Sequence, residues 1–396
     1  MLKGKTVVLA VTGSIAAYKI PNLARMLTKL NADVHVLMTP NATNFINPIT
    51  FETLTQHKCL IDTFDRGFEY SVEHVALAKA ADVVMIAPAS ANVIGKIANG
   101  IADDMLTTTV MACPCKKIIS PAMNHNMFHN PIVQDNIKKL QGYGYEIVSP
   151  DTGRLANGDT GDGRMPAEEI LFDYIMKEIA FEKDLAGKKV LVTAGATRES
   201  IDPVRFITNH SSGKMGVAVA KNAMLRGADV TLVAGAMDVK PPSFVNVINV
   251  TSAQDMAQAV FKAAPEQDII IKAAAVADYR PKNVGTEKLK KSDGEMSIEL
   301  ERTTDILGTL GQNKNQILCG FSMETENMLE NSRAKLTKKN LDMIVANNLK
   351  QEGAGFGVDT NIITLITSDD EIQLPKLTKD EAAKAILDHI KCKFLI

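Results

Sequence analysis

The chain has little that would mark it for a membrane, a nucleic acid or an oxidising compartment. Five cysteines, Cys59, Cys113, Cys115, Cys319 and Cys392, are scattered through 396 residues and odd in number, which suits reduced thiols better than a disulfide framework. Cys113-Pro-Cys115 is the only close pair, and without a second pair it is not the pattern of a structural metal site. Neither sign of charge dominates: 44 Lys plus Arg against 46 Asp plus Glu leave a net charge of -2. That balance lacks the electrostatic footprint of a general nucleic-acid or membrane-surface binder, so any phosphate binding is local. No apolar run reaches the roughly 18 residues of a spanning helix. The amino terminus has strand character rather than the basic-then-apolar layout of a signal. The expectation is a cytoplasmic protein with no nucleic-acid and no membrane partner. Heptads, low-complexity tracts and short tandem repeats are also missing.

What is present is an α/β pattern that starts twice. Lys5–Ala17 (KTVVLAVTGSIAA) and Lys188–Thr197 (KKVLVTAGAT) are each a β-branched apolar run that breaks into small residues. A buried parallel strand needs Val, Ile or Leu on both faces, and the turn at its carboxyl end needs small residues so that backbone N–H groups can approach a phosphate. Neither turn has the full G-x-G-x-x-G spacing, and the second strand, Asp33–Thr39, ends without a carboxylate, which argues against a dinucleotide. The spacing predicts parallel strands at Thr6–Val11, Asp33–Thr39, Val83–Ala87, Lys117–Ser120 and Glu146–Val148, separated by helices. It predicts a second sheet from Val190–Thr193, Asp229–Val233, Asn246–Val250, Asp268–Lys272, Ile317–Phe321, Met343–Asn347 and a late strand at Ile362–Thr367. Two domains follow, 1–183 and 184–396.

Small polar clusters fall at the predicted strand ends, where ligands of such sheets bind. In the first half these are Gly13, Ser14, Ile15 and Ala16 after the first strand, Thr39 after the second, and Pro88, Ala89, Ser90 and Asn92 (PASAN) after the third. PAMNHNMF follows the fourth and contains Met123 and Asn124, an uncharged donor suited to a carboxylate; a helix cap also accounts for it. The glycine-rich segment 150–165 (PDTGRLANGDTGDGRM) is too loose for a packed element and reads as a mobile flap. In the second half, Ser211, Ser212, Gly213 and Lys214 at a helix start suit a triphosphate without being a Walker A sequence. AAAVADYRP brings Ala273, Ala274 and Asp278 past a strand end, where the carboxylate suits Mg²⁺ or a ribose.

KTVVLAVTGSIAAYK, EHVALAKAADVVMIAPASANVIGKIANGIADD, PAMNHNMF and GRLANGDTGDGRM together resemble the flavin-dependent cysteine decarboxylases, in particular the amino-terminal half of the bifunctional bacterial coenzyme A biosynthesis proteins. The resemblance implies a flavodoxin-like flavoprotein domain binding FMN. It implies oxidation of the thiol of 4'-phosphopantothenoylcysteine, loss of carbon dioxide, and return of hydride to the resulting enethiol. By this resemblance His74 is the active-site base, and Asn124 with Met123 grips the substrate carboxylate. The family flap carries a cysteine where this chain has Asn157, and that cysteine is the proton donor of the reductive step. An amide does not titrate usefully near neutral pH. Either another donor, water or Asp159, serves here, or the half-reaction stops at the aminoenethiol. A flavoprotein half that only binds FMN is a further alternative, opposed by the presence of His74 and Asn124.

The second half, from roughly Asp184, resembles the phosphopantothenate–cysteine ligase half of the same family, giving two Rossmann-like domains in one chain. The resemblance implies CTP activation of 4'-phosphopantothenate as an acyl-cytidylate with Mg²⁺, attacked by the amine of L-cysteine. Asn209 then stabilises the acyl-cytidylate, and Lys288 sits on the triphosphate. By the same resemblance Ala273, Ala274, Asp278, the segment Thr304, Asp305, Ile306 and Leu307, and Phe321, Lys335 and Lys339 line the CTP site, and Arg205 meets the pantothenate phosphate. The family assembles as homo-oligomers, ligase dimers around a decarboxylase dodecamer.

Overall fold

The computed structural model describes residues 1–64, 73–154, 158, 160–290, 296–324, 326–348 and 358–395. The chain divides into two compact units, Met1–Phe181 and Glu182–Ile396.

In the first unit the strands are β1 (Thr6–Val11), β2 (Asp33–Met38), β3 (Val83–Ala89), β4 (Lys116–Pro121) and β5 (Glu146–Ile147). They form one parallel sheet in the order β2-β1-β3-β4-β5. All six residues of β1 and all seven of β3 are buried, which is why these strands read as unbroken apolar runs rather than alternating ones. Among the described residues the helices before the flap are α1 (Ile20–Lys29), α2 (Pro48–Thr55), α3 (Glu73–Ala80), α4 (Ala91–Ala98), α5 (Met105–Ala112), α6 (His125–Phe128) and α7 (Pro131–Gly142). Leu77, Ile94, Leu106 and Leu140 from four of them close over Val8, Val84 and Ile119 in one core. On α1 the buried positions Ile20, Leu23, Ala24 and Leu27 recur at helical spacing. The helix expected from Ile15 opens as a 3-10 turn, Ile15–Lys19, and becomes α-helical at Ile20. Pro21, which has no N–H to donate, sits where an α-helix needs none.

The segment expected to be a loose flap has ordered flanks. Strands β6 (Asp151–Arg154) and β7 (Thr160–Arg164) pair antiparallel, and α8 (Glu168–Ile179) follows. Glycine makes this possible where the hairpin presses on its neighbours: at Gly163, φ +116, a Cβ would lie 2.4 Å from the Met123 carbonyl oxygen.

The second unit is built on β8 (Lys189–Ala194), β9 (Arg198–Ser200), β10 (Phe206–Thr208), α9 (Lys214–Leu225), β11 (Asp229–Ala234), β12 (Asn246–Asn249), α10 (Ala253–Ala263), β13 (Ile269–Lys272), β14 (Tyr279–Pro281) and β15 (Leu300–Arg302). It continues through α11 (Ile306–Gln312), β16 (Ile317–Glu324), α12 (Met328–Lys338), β17 (Met343–Asn348), β18 (Thr360–Asn361), β19 (Ile363–Ile366), β20 (Glu371–Gln373), β21 (Leu377–Thr378) and α13 (Lys379–Phe394). Its eight-stranded sheet runs β12-β11-β8-β13-β16-β17-β19-β20. The sheet is not parallel throughout: β12 to β17 are, whereas β19 pairs antiparallel with β17 and β20 with β19. The late strand foreseen at Ile362–Thr367 is thus an antiparallel addition to the edge. Arg226, whose side chain is 4% exposed, is held at 2.7 Å by Asp184 and by Asp388, joining the start of the unit to its last helix. Among the described residues no helix is long and apolar enough to cross a membrane.

Candidate functional sites at two sheet edges

In the first unit the strand ends converge on a cavity of about 600 Å³ whose walls include Gly13, Ser14, Thr39, Ser90, Asn92 and Met123. Gly13 allows the loops after β1 and β2 to touch, since a Cβ there would lie 2.8 Å from that of Asn41. Ser14, Thr39 and Ser90 are helix N-caps whose hydroxyl oxygens accept backbone N–H groups from Ala16, Ala42 and Val93. A hydroxyl that accepts in this way still has its own hydrogen to donate, so capping aims three O–H donors at one edge of the sheet. Helix N-termini add unpaired N–H groups and the positive end of the helix dipole. Behind them the Thr12 hydroxyl donates to the Pro88 carbonyl and accepts the Ser90 N–H. This donor-rich cradle fits the phosphate and carbonyl groups of a flavin mononucleotide. Lys96, on the wall, is spent on Asp103 at 2.7 Å and Asp104 at 3.4 Å.

Other expected residues fall outside that wall. Pro88 and Ala89 are buried under the site, Ile15 is 54% exposed, and Ala16 contributes its N–H to Ser14. His74 is half-buried in the first turn of α3. Asn124 caps α6, its Oδ1 accepting the N–H of Asn126 at 2.9 Å, so its amide N–H groups remain the groups it can donate. Met123 donates its N–H to the Gly163 carbonyl, tying this loop to the flap base. Asn157 and Asp159 lie outside the described residues. A cluster of His125, His129 and Asp162 sits at the flap base, but its groups serve one another: Asp162 takes His129 and Thr152, and its own N–H donates to His125 Nδ1.

In the second unit a cavity of about 140 Å³ lies at the carboxyl ends of β8, β13 and β16, walled by Ser211 to Gly216, Ala273 to Ala275 and Phe321. Gly213 holds φ +77 at the start of α9, where a Cβ would strike Met237 at 2.5 Å. Thr193 and Thr197 accept the N–H groups of Ala274 and Ala277, fixing the loop after β13. Asn209 donates its amide to the Ala275 carbonyl at 3.1 Å from the rim. Asp278 is exposed just beyond. Ile306 and Leu307 are core residues, so their side chains offer a ligand nothing, and the polar groups of this segment are those of the exposed Thr304 and Asp305. The expected cations are paired with carboxylates: Lys214 with Asp359 at 2.6 Å, Lys335 with Glu324 at 2.5 Å, Lys339 with Asp305 at 2.8 Å and Arg205 with Asp202 at 2.5 Å. Lys288 is exposed, with no ion pair among the described residues.

Three further residues line this cavity without any signal in the sequence. Asn347, Asn361 and Lys379 line the cavity and are nearly buried. Asn347 donates to the Asn361 Oδ1 at 2.8 Å, and its own Oδ1 has no hydrogen-bond partner among the described residues. An orphaned acceptor on a residue beside a cavity is costly unless a ligand or water satisfies it. Lys272, at the end of β13, likewise gives no signal in the sequence. Burial and the neighbouring Lys339 cation bring its amine down to about 8.

The family model described as Flavoprotein matches residues 1–180, and that described as DNA/pantothenate metabolism flavoprotein C-terminal domain matches residues 185–393. The chain is 46% identical over 395 residues to the coenzyme A biosynthesis bifunctional protein CoaBC of Bacillus subtilis, spanning 98% of this chain and 97% of that protein. It is 42% identical over 391 residues to the CoaBC protein of Haemophilus influenzae, spanning 98% of each. A crystal structure of the C-terminal domain of a CoaBC protein is 47% identical and covers 53% of this chain and 97% of that one, with a TM-score of 0.47. Both halves and nearly the whole length are therefore accounted for by one lineage, and the chain belongs to the family of bifunctional coenzyme A biosynthesis proteins.

Proposed function

We propose that this chain is a bifunctional enzyme in which residues 184–396 ligate L-cysteine to 4'-phosphopantothenate with CTP, and residues 1–183 decarboxylate the 4'-phosphopantothenoylcysteine product to 4'-phosphopantetheine. The observation that carries this reading is identity to bifunctional CoaBC proteins over nearly the full length. The same observation favours complete turnover over a flavoprotein half that stops at the aminoenethiol or only binds FMN. Two donor-rich cavities, one at the carboxyl edge of each sheet, support it.

In the ligase half, Lys214, Lys335 and Lys339 exchange their carboxylate partners for the triphosphate, Asp278 holds Mg²⁺, and Lys288 adds a cation from outside the cavity. Such charges are worth most where water is excluded. Asn209, positioned by the Ala275 carbonyl, stabilises the acyl-cytidylate, and Arg205 receives the pantothenate phosphate. Activation is needed because a carboxylate is a poor electrophile and a phosphoric anhydride supplies the leaving group.

In the decarboxylase half, Ser14, Thr39, Ser90 and Asn92 hold FMN. The bound flavin supplies the two-electron oxidation and re-reduction. Asn124 takes the substrate carboxylate through its amide, and His74 removes the proton. Asn157 has no proton to give near neutral pH, so water or Asp159 protonates the product. The protein works in the cytoplasm as a homo-oligomer.

The test is a pair of substitutions. His74→Asn abolishes carbon dioxide release and spares ligation, and Asn209→Asp does the reverse. Loss of both activities in both variants would contradict two independent sites.

A further inference from the structure

The strap that carries Lys288 is tied to a side chain that none of the roles above uses. β9 and β10 form a hairpin, and its tip is closed by the Ile201 N–H donating to the Arg205 carbonyl at 2.8 Å. The side chain of Asp202 in this tip is 0% exposed. Its Oδ1 accepts the N–H groups of Val204 and Arg205, each at 2.8 Å. Its Oδ2 accepts Arg205 Nε at 2.9 Å and Nη2 at 2.5 Å. That same oxygen accepts the N–H of Leu289 at 3.1 Å, and Arg205 Nη2 donates onward to the Leu289 carbonyl at 2.9 Å. Earlier in the strap the Gly285 N–H donates to the Ile201 carbonyl at 3.0 Å. Lys288 therefore stands between two anchored positions, one residue from the second. At its other end, β10 leads within one residue to Asn209.

A buried carboxylate with N–H donors on both oxygens has one orientation, because rotating it would strand several of them. The Arg205 guanidinium first, and then the backbone donors, hold its carboxyl well below the usual carboxylate range, so it is charged throughout the neutral range.

We propose that Asp202 is a positioning residue for ligation, whose carboxylate locks the Lys288 strap to the hairpin that delivers Asn209. The proposal rests on the ligase reading of Lys288 and Asn209 above. Asp202→Asn keeps the shape but turns one acceptor into a donor aimed at Arg205 or Leu289. Measured on the full chain, it lowers kcat/KM for CTP by about 10–100-fold, the usual effect of losing a residue that orients a working group. Adding Lys288→Ala to Asp202→Asn then costs less than about threefold more, because two residues that act as one unit do not add. Trypsin cuts after Lys288 faster in Asp202→Asn than in the unaltered chain. Decarboxylation of supplied 4'-phosphopantothenoylcysteine does not change, which separates a local effect from general unfolding. If Asp202→Asn does not fold, Asp202→Glu, which keeps the charge but displaces both oxygens by a methylene, carries the same cycle and the same cleavage measurement. Fully multiplying losses, or an unchanged rate of cleavage after Lys288, overturn the proposal. Full-rate ligation by Lys288→Ala alone overturns the reading of Lys288 itself, and with it the proposal, while leaving the ligase activity established.

Discussion

The Thr12 hydroxyl accepts the backbone N–H of Ser90 at 2.9 Å while donating to the Pro88 carbonyl at 2.6 Å. One buried side chain at the end of β1 thereby sets where the loop after β3 starts and where α4 points its N-terminus. Thr12→Val keeps the volume but leaves the Ser90 N–H without its acceptor. FMN affinity then falls about tenfold, equivalent to ~1.4 kcal/mol, comparable to one hydrogen bond. Fluorescence titration of the flavin-free protein with FMN reads this, and ligation is unchanged.

Asp184 connects acid stability to the second unit. Its hydrogen bonds from Arg226, and then Lys391, lower its carboxyl from 3.8 to about 2. With the folded value below the unfolded one, the unfolded state binds more protons in that window. The stabilisation is complete above about 4 and is lost as pH falls toward about 2. Allowing for solvent screening it is on the order of 1 kcal/mol. Unfolding at a series of acid pH values shows this slope in the unaltered chain, and Asp184→Asn flattens it.

Lys272 makes the opposite contribution. Burial first, then Lys339, lowers its amine from 10.5 to about 8, so between these values the unfolded chain holds a proton that the folded chain has released. Stability rises with pH across that window, and below it the charged amine is a cost. Lys272→Met is therefore more stable than the unaltered chain at pH 7 without nucleotide, and the difference shrinks by pH 10. With CTP present the advantage shrinks, because the triphosphate assigned above to the neighbouring Lys339 brings negative charge near the amine. Thermal melts at both pH values, with and without CTP, check it.

Asn347 gives a prediction about affinity. Asn347 lines the cavity of the second unit, and its buried Oδ1 has no partner among the described residues. Asn347→Leu shrinks the melting shift produced by CTP, with about a tenfold weaker Kd, because a ligand N–H loses its acceptor. An unchanged Kd would leave that oxygen to water.

Much of both sites was legible because a buried parallel strand announces itself and its small-residue turn marks the edge where ligands bind. β1, β3 and β8 read as apolar runs, and Gly13, Ser14, Ser90 and Gly213 followed from their ends. Polar residues nearly buried inside elements gave no such signal. Asn347 at the end of β17 and Lys379 at the start of α13 resemble ordinary strand-end and cap residues until the chain is folded. Arg205 shows the reverse limit. A cation in a binding loop is readable, but the carboxylate that holds it, three residues away at Asp202, reads as a turn residue beside Pro203. The antiparallel pairing of β19 depends on which edge of the sheet remains open, and no local pattern encodes that.

Complete two-step turnover by a chain with Asn157 where its family carries the flap cysteine is the outcome that decides between the two readings. Mass spectrometry of the products formed from 4'-phosphopantothenate, cysteine, CTP and Mg²⁺, with Asn157→Cys run alongside, tests it most directly. The unaltered chain gives full conversion to 4'-phosphopantetheine. A product two hydrogens lighter, converted to 4'-phosphopantetheine only by Asn157→Cys, would contradict it.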